Sequence, residues 1–281
     1  MIEIRDLSFS YSREKLFSQL NLSLRPGNIC GLLGKNGAGK TTLLKLLAGL
    51  LFPQRGETRI MGLRPVERSP GFLQELSFLP EEFSLPSVSP RKYERLYAPF
   101  YPRFKSELFS NYLSEFELEP DQNLDRCSFG QKKKFLLAFC FSTDCRLILL
   151  DEPTNGLDIP SKRQFRKTLA SVVAEDRLIV ISTHQARDLE NLIDPVVILD
   201  EGRIIFNHSL EEISNRLCVR HQPKPPTSDE VFYSEKTMEG YLVVAENNEH
   251  EETKLDLELL FNTVIQNPER LSKAFREEDE K

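Results

Sequence analysis

A glycine-rich stretch, Gly34-Lys35-Asn36-Gly37-Ala38-Gly39-Lys40-Thr41, separates the apolar run Ile29 to Leu33 from the helix-forming run Thr42 to Leu47. A buried strand that turns through glycines straight into a helix commits the chain to an α/β layout with that strand inside a sheet. The same order of residues sets a chemistry. Gly34, Gly37 and Gly39 allow backbone N–H groups to close around an anion, and the following helix presents its positive dipole end to it. Lys40 supplies a positive charge for the outer phosphates and Thr41 a hydroxyl for Mg²⁺. Lys35, Asn36, Ala38 and Thr42 complete the candidate loop.

A second run, Leu147-Ile148-Leu149-Leu150-Asp151-Glu152, is an apolar strand ending in two carboxylates, and Pro153 stops it. That places Asp151 and Glu152 at the C-terminal edge of a sheet, where the ligands of α/β folds collect. Asp151 suits contact with Mg²⁺, directly or through its shell, and Glu152 suits polarising a water that attacks a terminal phosphate. Together the two runs point to a nucleoside-triphosphate site.

Composition narrows the classes. A chain of 281 residues with 40% hydrophobic content can build one large or two modest domains, and its formal charge of −6 argues against wholesale nucleic-acid binding. No apolar run approaches the roughly 18 to 20 residues needed to cross a bilayer. The alternating start Met1-Ile2-Glu3-Ile4-Arg5-Asp6 reads as a strand rather than a signal peptide, so a cytoplasmic chain is expected. Cys30, Cys127, Cys140, Cys145 and Cys218 are odd in number and contain no C-x-x-C pair, which suits buried free thiols.

Along the chain, strands are expected up to Leu33, then a helix ending near Gly49, and short strands at Glu57–Met61 and Leu76–Leu79. From Glu81 to about Phe141, prolines punctuate segments of helical spacing, including the stripe Leu108, Tyr112, Leu113 and Phe116. After Asp151, helix and strand alternate: a helix from Pro160, a strand Leu178–Ser182, a helix Gln185–Leu192 and a strand Val196–Leu199. Alternation of this kind implies a parallel sheet flanked by helices. Asp200-Glu201-Gly202-Arg203 reads as a hairpin turn and His221 to Pro226 as a Pro-rich linker. Beyond it come a strand at Tyr241–Ala245, an acidic loop over Glu246–Glu252, an amphipathic helix near Leu255–Ile265 and a charged tail from Arg276 to Lys281. The acidic loop and the tail read as solubilising or unstructured.

Ser128 followed three positions later by Gln131, ahead of the run to Phe141, has the form of a capping box. It is either a plain helix start or a second anion-facing helix N-terminus, and the spacing alone does not choose. Lys132, Lys133 and Lys134 read as a solvated helix face. The mixed basic and aromatic segment Arg91 to Phe104 reads as packing within the helical insertion more readily than as a nucleic-acid platform.

Taken together, these motifs resemble the ATP-binding cassette of ABC transporters over about Ile2 to Leu217. The phosphate loop, Ser128-x-Gly130-Gln131 and the acidic strand are similar to that family's diagnostic motifs in the family's order. Asn155-Gly156-Leu157-Asp158 resembles its D-loop, Ser182-Thr183-His184 its switch histidine, and Tyr11 the aromatic that stacks on adenine. The resemblance implies ATP and Mg²⁺, with Glu152 as general base, His184 at the γ-phosphate and Asp158 coupling two sites. It also implies a homodimer or a paired cassette, joined head to tail, in which Ser128 and Gly130 of one subunit reach the nucleotide of the other. A separately encoded integral membrane permease would be the partner, with this chain peripheral at the inner face of the membrane.

Three positions depart from the family's pattern, the first being Cys127, which stands where the signature usually begins with leucine. Phe129 stands where a glycine is usual, and Glu81 replaces the glutamine after Leu76–Leu79; a carboxylate there can still ligate Mg²⁺, beside Thr41 and Asp151. The expected fold is thus a P-loop core with a mostly parallel sheet, an antiparallel N-terminal β subdomain and a helical insertion. The nucleotide-binding domain is expected over residues 1–217, with its helical subdomain at about 82–142, and a linker with a small α/β accessory region over 218–281. An exporter type is favoured by the short insertion and the C-terminal extension. The competing readings are a non-transport ABC-type ATPase and an ATP-sensing regulatory subunit with weak hydrolysis.

Overall fold

The structure, a computed structural model, describes residues 1–189, 192–226, 231–248, 251, 253 and 256–276. Strands β1 (Ile2–Tyr11), β2 (Glu14–Leu24) and β4 (Arg55–Ile60) form an antiparallel sheet in the order β2-β1-β4. Between them in sequence come β3 (Ile29–Leu33) and helix α1 (Lys40–Leu47), the strand and helix that flank the glycine-rich loop. Gly49, with φ 66°, adopts the left-handed conformation that closes a helix C-terminus, which is why α1 stops where the sequence suggests.

After β4 the chain makes a short helix α2 (Pro70–Leu73) and strand β5 (Leu76–Leu79), then enters the helical insertion. Its helices are α3 (Pro90–Tyr97), α4 (Ser106–Glu115) and α5 (Phe129–Ser142). Helix α3 starts at Ser89, whose side chain accepts from the Lys92 N–H, with Pro90 in the first turn where its missing N–H costs nothing. The buried stripe of the α4 segment runs through Phe109, Tyr112, Leu113 and Phe116, with Leu108 only half-buried. Of the aromatics in the basic segment, Tyr93, Tyr101 and Phe104 pack against the core, whereas Phe100 is exposed. Tyr93 stacks on Tyr97 at 4.1 Å and meets Phe135 and Phe139 edge-on at 5.0 Å each.

The remaining elements are β6 (Leu147–Asp151), α6 (Ile159–Ser171), β7 (Leu178–Thr183), β8 (Val196–Asp200) and β9 (Arg203–His208). The main sheet has the order β5-β6-β7-β3-β8-β9; every neighbouring pair is parallel except β8–β9. This is the P-loop fold expected, with a mostly parallel sheet and an antiparallel N-terminal subdomain. The central strands are apolar up to their last one or two residues because both faces of the sheet are covered. Cys30 and Leu32 of β3 pack with α1 and the N-terminal sheet, whereas Ile29 and Leu33 pack against the opposite layer. That second layer contains α4, α5 and α6, with Phe109, Phe135 and Phe165 fully buried. Each such ring stabilises the fold by about 1.5–3 kcal/mol through the apolar area it removes from water.

The chain continues with α7 (Leu210–Arg216), β10 (Leu217–Gln222), β11 (Val231–Thr237), β12 (Gly240–Glu246), α8 (Leu257–Gln266) and α9 (Pro268–Arg276). Strands β10, β12 and β11 form a third, antiparallel sheet in that order. Several expectations need correction here. His221 and Gln222, read as the start of a linker, pair with Leu242 and Tyr241, because β10 extends the sheet through them. The apolar residues Leu257, Leu260, Val264, Leu271 and Phe275 join the core under the main sheet. The acidic loop is not simply a solvated patch. Glu246 ends β12, Asn247 is buried and donates to the Ser214 and Glu251 carbonyls, and Glu251 pairs with Arg220 at 2.9 Å. Its residues 249, 250 and 252, the start of the Leu255 helix and the tail from 277 lie outside the described residues.

The helix expected over Gln185–Leu192 is a 3-10 turn, Ala186–Leu189, with Glu190 and Asn191 outside the described residues. All five cysteines are buried and free. Burial pushes the Cys140 and Cys145 thiols up to about 12. Among the described residues no helix is long and apolar enough to cross a membrane.

Candidate nucleotide site

At the C-terminal end of β3 the chain turns through Gly37, at φ 82°, and Gly39, at φ 108°, into α1. Gly39 is required twice over: its φ is left-handed, and a Cβ there would lie 2.8 Å from the Phe17 ring. The turn buries Lys40, whose Nζ donates to the Gly34 carbonyl at 2.8 Å and the Lys35 carbonyl at 3.3 Å. The ammonium therefore spans the loop from beneath, 3.8 Å from Glu152 Oε1. Burial lowers its pKa, and the nearby Glu152, Asp151 and Glu81 act against that shift.

Strand β6 brings Asp151 and Glu152 to the same sheet edge, since β3 and β6 both lie beside β7. Asp151 is fully buried, and its Oδ1 accepts from the Ser182 hydroxyl at 2.5 Å. Glu152 leaves the strand in a left-handed conformation, φ 45°. Its N–H donates to the Ser182 carbonyl, and its Oε1 lies 2.8 Å from His184 Nδ1. Asp151 Oδ2 and Glu152 Oε2 are buried and meet no hydrogen-bond partner. Buried carboxylate oxygens of this kind require a cation, a water or a donor from a ligand.

Around these groups lies a cavity of about 650 Å³ lined by Tyr11, Asn36, Gly37, Gly39, Lys40, Thr41, Thr42, Glu81, Glu152, Asn155 and His184. Its size is that of a small-molecule site. Tyr11 stands half-exposed at one end, with its hydroxyl 3.3 Å from Thr42 Oγ1 and its ring edge-on to Phe9 at 4.9 Å. Glu81 also lines the cavity, and its Oε1 accepts from Asn155 Nδ2 at 3.0 Å. Ala38 is buried among the core residues under the loop. Gly34 and Lys35 border a neighbouring cavity of about 490 Å³, between His184 and Glu258, Phe261 and Asn262 of α8.

The sequence-derived set does not all converge on this cavity. Ser128 caps α5, accepting from the Gln131 N–H at 3.2 Å while Gln131 Oε1 accepts from the Ser128 N–H at 2.9 Å. The capping box is real, and it lies outside the cavity lining together with Gly130. Asp158 caps α6, accepting from the Ser161 N–H at 2.9 Å. Phe129 stacks on Phe83 at 5.2 Å and covers Gly156, where a Cβ would come within 2.7 Å of its ring. Gly130 is equally confined, its would-be Cβ 2.9 Å from the Gly156 carbonyl. The start of α5 is therefore pressed against Gly156.

One expectation is overturned. Lys133 does not belong to a solvated helix face; it is fully buried and its Nζ donates to the Glu152 carbonyl at 2.5 Å. Helical period read backward from Leu137, Cys140 and Phe141 puts Lys133 on their inward face, a signal masked by the run of lysines. In sequence Ser182 and Asn155 stand only inside longer motifs, because their bonds to Asp151, Glu152 and Glu81 join segments brought together by the fold.

The loop, the buried carboxylate pair and the parallel sheet define a P-loop nucleoside triphosphatase. A protein-family model described as ABC transporter matches residues 17–155. The Nod factor export ATP-binding protein I of Burkholderia orbicola (strain AU 1054) is 30% identical over 210 residues, 73% of this chain and 69% of the relative. A solved ATP-binding subunit of an ABC transporter superposes with a TM-score of 0.70 at 27% identity, covering 76% of this chain and 91% of that one. A dimeric ATP-binding cassette bound to ADP and phosphate shares the fold, with a TM-score of 0.66 at 20% identity over 75% of this chain and 99% of its own. The chain belongs to the ABC transporter family, as an ATP-binding subunit and ATPase.

Proposed function

We propose that this chain hydrolyses Mg²⁺-ATP as one of two cassettes paired head to tail, driving a separate export permease at the inner face of the membrane. The observation that carries the reading is the pairing of Glu152 with His184 beside Lys40, while Ser128 and Gly130 of the same chain lie outside the cavity. Half a site in each chain calls for a second chain to complete it. The nucleotide fits the cavity with its base against Tyr11 and its phosphates in the Gly34–Thr42 loop, backbone N–H groups and Lys40 balancing their charge. Glu152 accepts a proton from the attacking water, and His184 orients it and contacts the γ-phosphate.

The site fits Mg²⁺ as well. Asp151 Oδ2 is a buried oxygen without a partner, and Thr41 and Glu81 offer two further oxygens at the cavity. Among the described residues no group of three His, Cys, Asp or Glu could hold a metal by itself. That suits Mg²⁺, which is usually held by one or two side chains together with substrate phosphates. When bound, the ion neutralises charge on those phosphates. To Asp158, two residues beyond Gly156, which packs against the start of α5, this reading gives the role of linking the two sites of a dimer.

A groove of about 430 Å³ between the core and the helical insertion, lined by Leu50, Arg68, Leu73, Phe78, Phe100 and Tyr101, supports docking of a permease helix. Export, rather than import, is supported by the relative named for Nod factor export. We divide the chain into a cassette over 1–217, with its helical part at about 82–142, and an accessory region over 218–281. The test is to isolate the chain from native membranes and assay the complex. An integral membrane protein should accompany it and raise Mg²⁺-ATP turnover. Turnover that stays negligible in that complex would favour the ATP-sensing alternative, to which the extra carboxylate of Glu81 lends some support.

A further inference from the structure

Lys133 lies in α5 five residues beyond Ser128, about 7.5 Å along the helix axis. An ammonium with no exposure is costly unless hydrogen bonds and opposite charge meet it. Here the Glu152 carbonyl accepts from it at 2.5 Å, and the Phe129 ring centroid lies 5.6 Å from its Nζ. The carboxylates of Glu81, Glu152 and Asp151 all favour its charged form against the burial that lowers its pKa.

What Lys133 holds is an unusual piece of backbone. Glu152 has φ 45°, a left-handed conformation that side chains other than glycine rarely adopt. Such a conformation persists only where its surroundings impose it. On one side, the Glu152 N–H donates to the Ser182 carbonyl at 3.1 Å and to Ser182 Oγ at 3.2 Å. On the other side, the carbonyl accepts from Lys133 at 2.5 Å and, within the turn that follows, from the Asn155 N–H at 3.2 Å. These contacts fix the backbone on both sides of Glu152 and so aim its carboxylate at His184; of those to the carbonyl, the Lys133 bond is the one that comes from another element, α5.

We propose that Lys133 is a positioning residue for ATP hydrolysis: from the helix that begins at Ser128, it holds the Glu152 carbonyl and keeps the Glu152 carboxylate in its working orientation. The helix whose N-terminus meets the second subunit's nucleotide is thereby tied to the base that activates water. A shift of α5 on dimer closure is transmitted to Glu152 through one hydrogen bond. This inference rests on Glu152 being the general base.

The test uses steady-state ATPase kinetics of the full chain. Lys133→Met is expected to lower kcat about 10²-fold, the scale of a misplacement of about 1 Å, with KM for ATP within about twofold of wild type. Lys133→Arg, which keeps a donor and the charge, is expected to recover most of that loss. Lys132→Ala, one residue away and partly exposed, should leave kcat unchanged. A Lys133→Met protein with wild-type kcat would overturn the proposal. So would a parallel loss of kcat, ATP affinity and thermal stability that Arg does not restore, since that pattern marks a packing role alone. Should Lys133→Met yield no folded protein, Lys133→Gln, whose shorter amide falls short of the carbonyl, is read by the same criteria. Glu152→Gln run in parallel separates the two failures. If it keeps its turnover, the general-base reading fails; if it is inactive while Lys133→Met is normal, only the Lys133 proposal fails.

Discussion

Glu152→Gln is expected to lower Mg²⁺-ATP turnover by roughly 10³-fold while ATP affinity stays within about threefold of wild type. The substitution keeps the size of the side chain and its capacity to hydrogen-bond His184 Nδ1, now 2.8 Å from Oε1. It removes the capacity to accept a proton from water, and general-base catalysis of this kind is worth about 10² to 10⁴. The fold should tolerate the change because the contacts that hold residue 152 in its left-handed conformation are to its backbone. Turnover and nucleotide binding, measured on the same preparation, check both halves of the expectation. Equal losses of binding and turnover would show that Glu152 serves the structure of the cavity rather than the reaction.

Lys40→Ala is expected to act at the earlier step, raising the ATP dissociation constant by about 10²-fold or more and abolishing measurable turnover. A hydrogen bond to a charged group is worth about 1.5–3 kcal/mol, and Lys40 would offer such bonds to phosphates that carry most of the ligand's charge. The side chain also bridges the Gly34 and Lys35 carbonyls, so its loss loosens the loop that presents the backbone N–H groups. Asp151, Glu152 and Glu81 would then face an anion without the ammonium that balances them. Titration of nucleotide binding by calorimetry measures the effect. ATP affinity at the wild-type level would remove Lys40 from the phosphate site.

Much of this site could be read from the sequence because its key residues are local. The run Gly34–Thr41 is a continuous loop, and Asp151 and Glu152 are adjacent residues at a strand end with Pro153 behind them. The main strands were legible for a related reason: burial on both faces makes them apolar without interruption. Strands β10 and β11 were harder, since their edge positions mix polar and apolar residues and His221-Gln222 runs into prolines. Lys133 was hidden because composition marks three consecutive lysines as a surface run, and only the geometry of α5 turns one of them inward. Phe129 shows the same limit. The sequence marks it as bulky at a position usually held by glycine, whereas its stacking on Phe83 and its cover over Gly156 depend on tertiary contact.

The central claim is that each site is completed by a second cassette, and mixing two inactive variants tests it most directly for the case in which that cassette is a second copy of the chain. Lys40→Ala disables the phosphate loop, and Ser128→Arg blocks the exposed N-terminus of α5 at a cost of about 1 kcal/mol for the lost cap. In a mixed dimer, one site combines the two defects and the other combines an intact loop with an intact Ser128. The mixture should therefore regain roughly a quarter of wild-type Mg²⁺-ATP turnover, from half of the dimers and one of the two sites in each. Turnover that equals only the sum of the two variants measured separately would contradict the shared site.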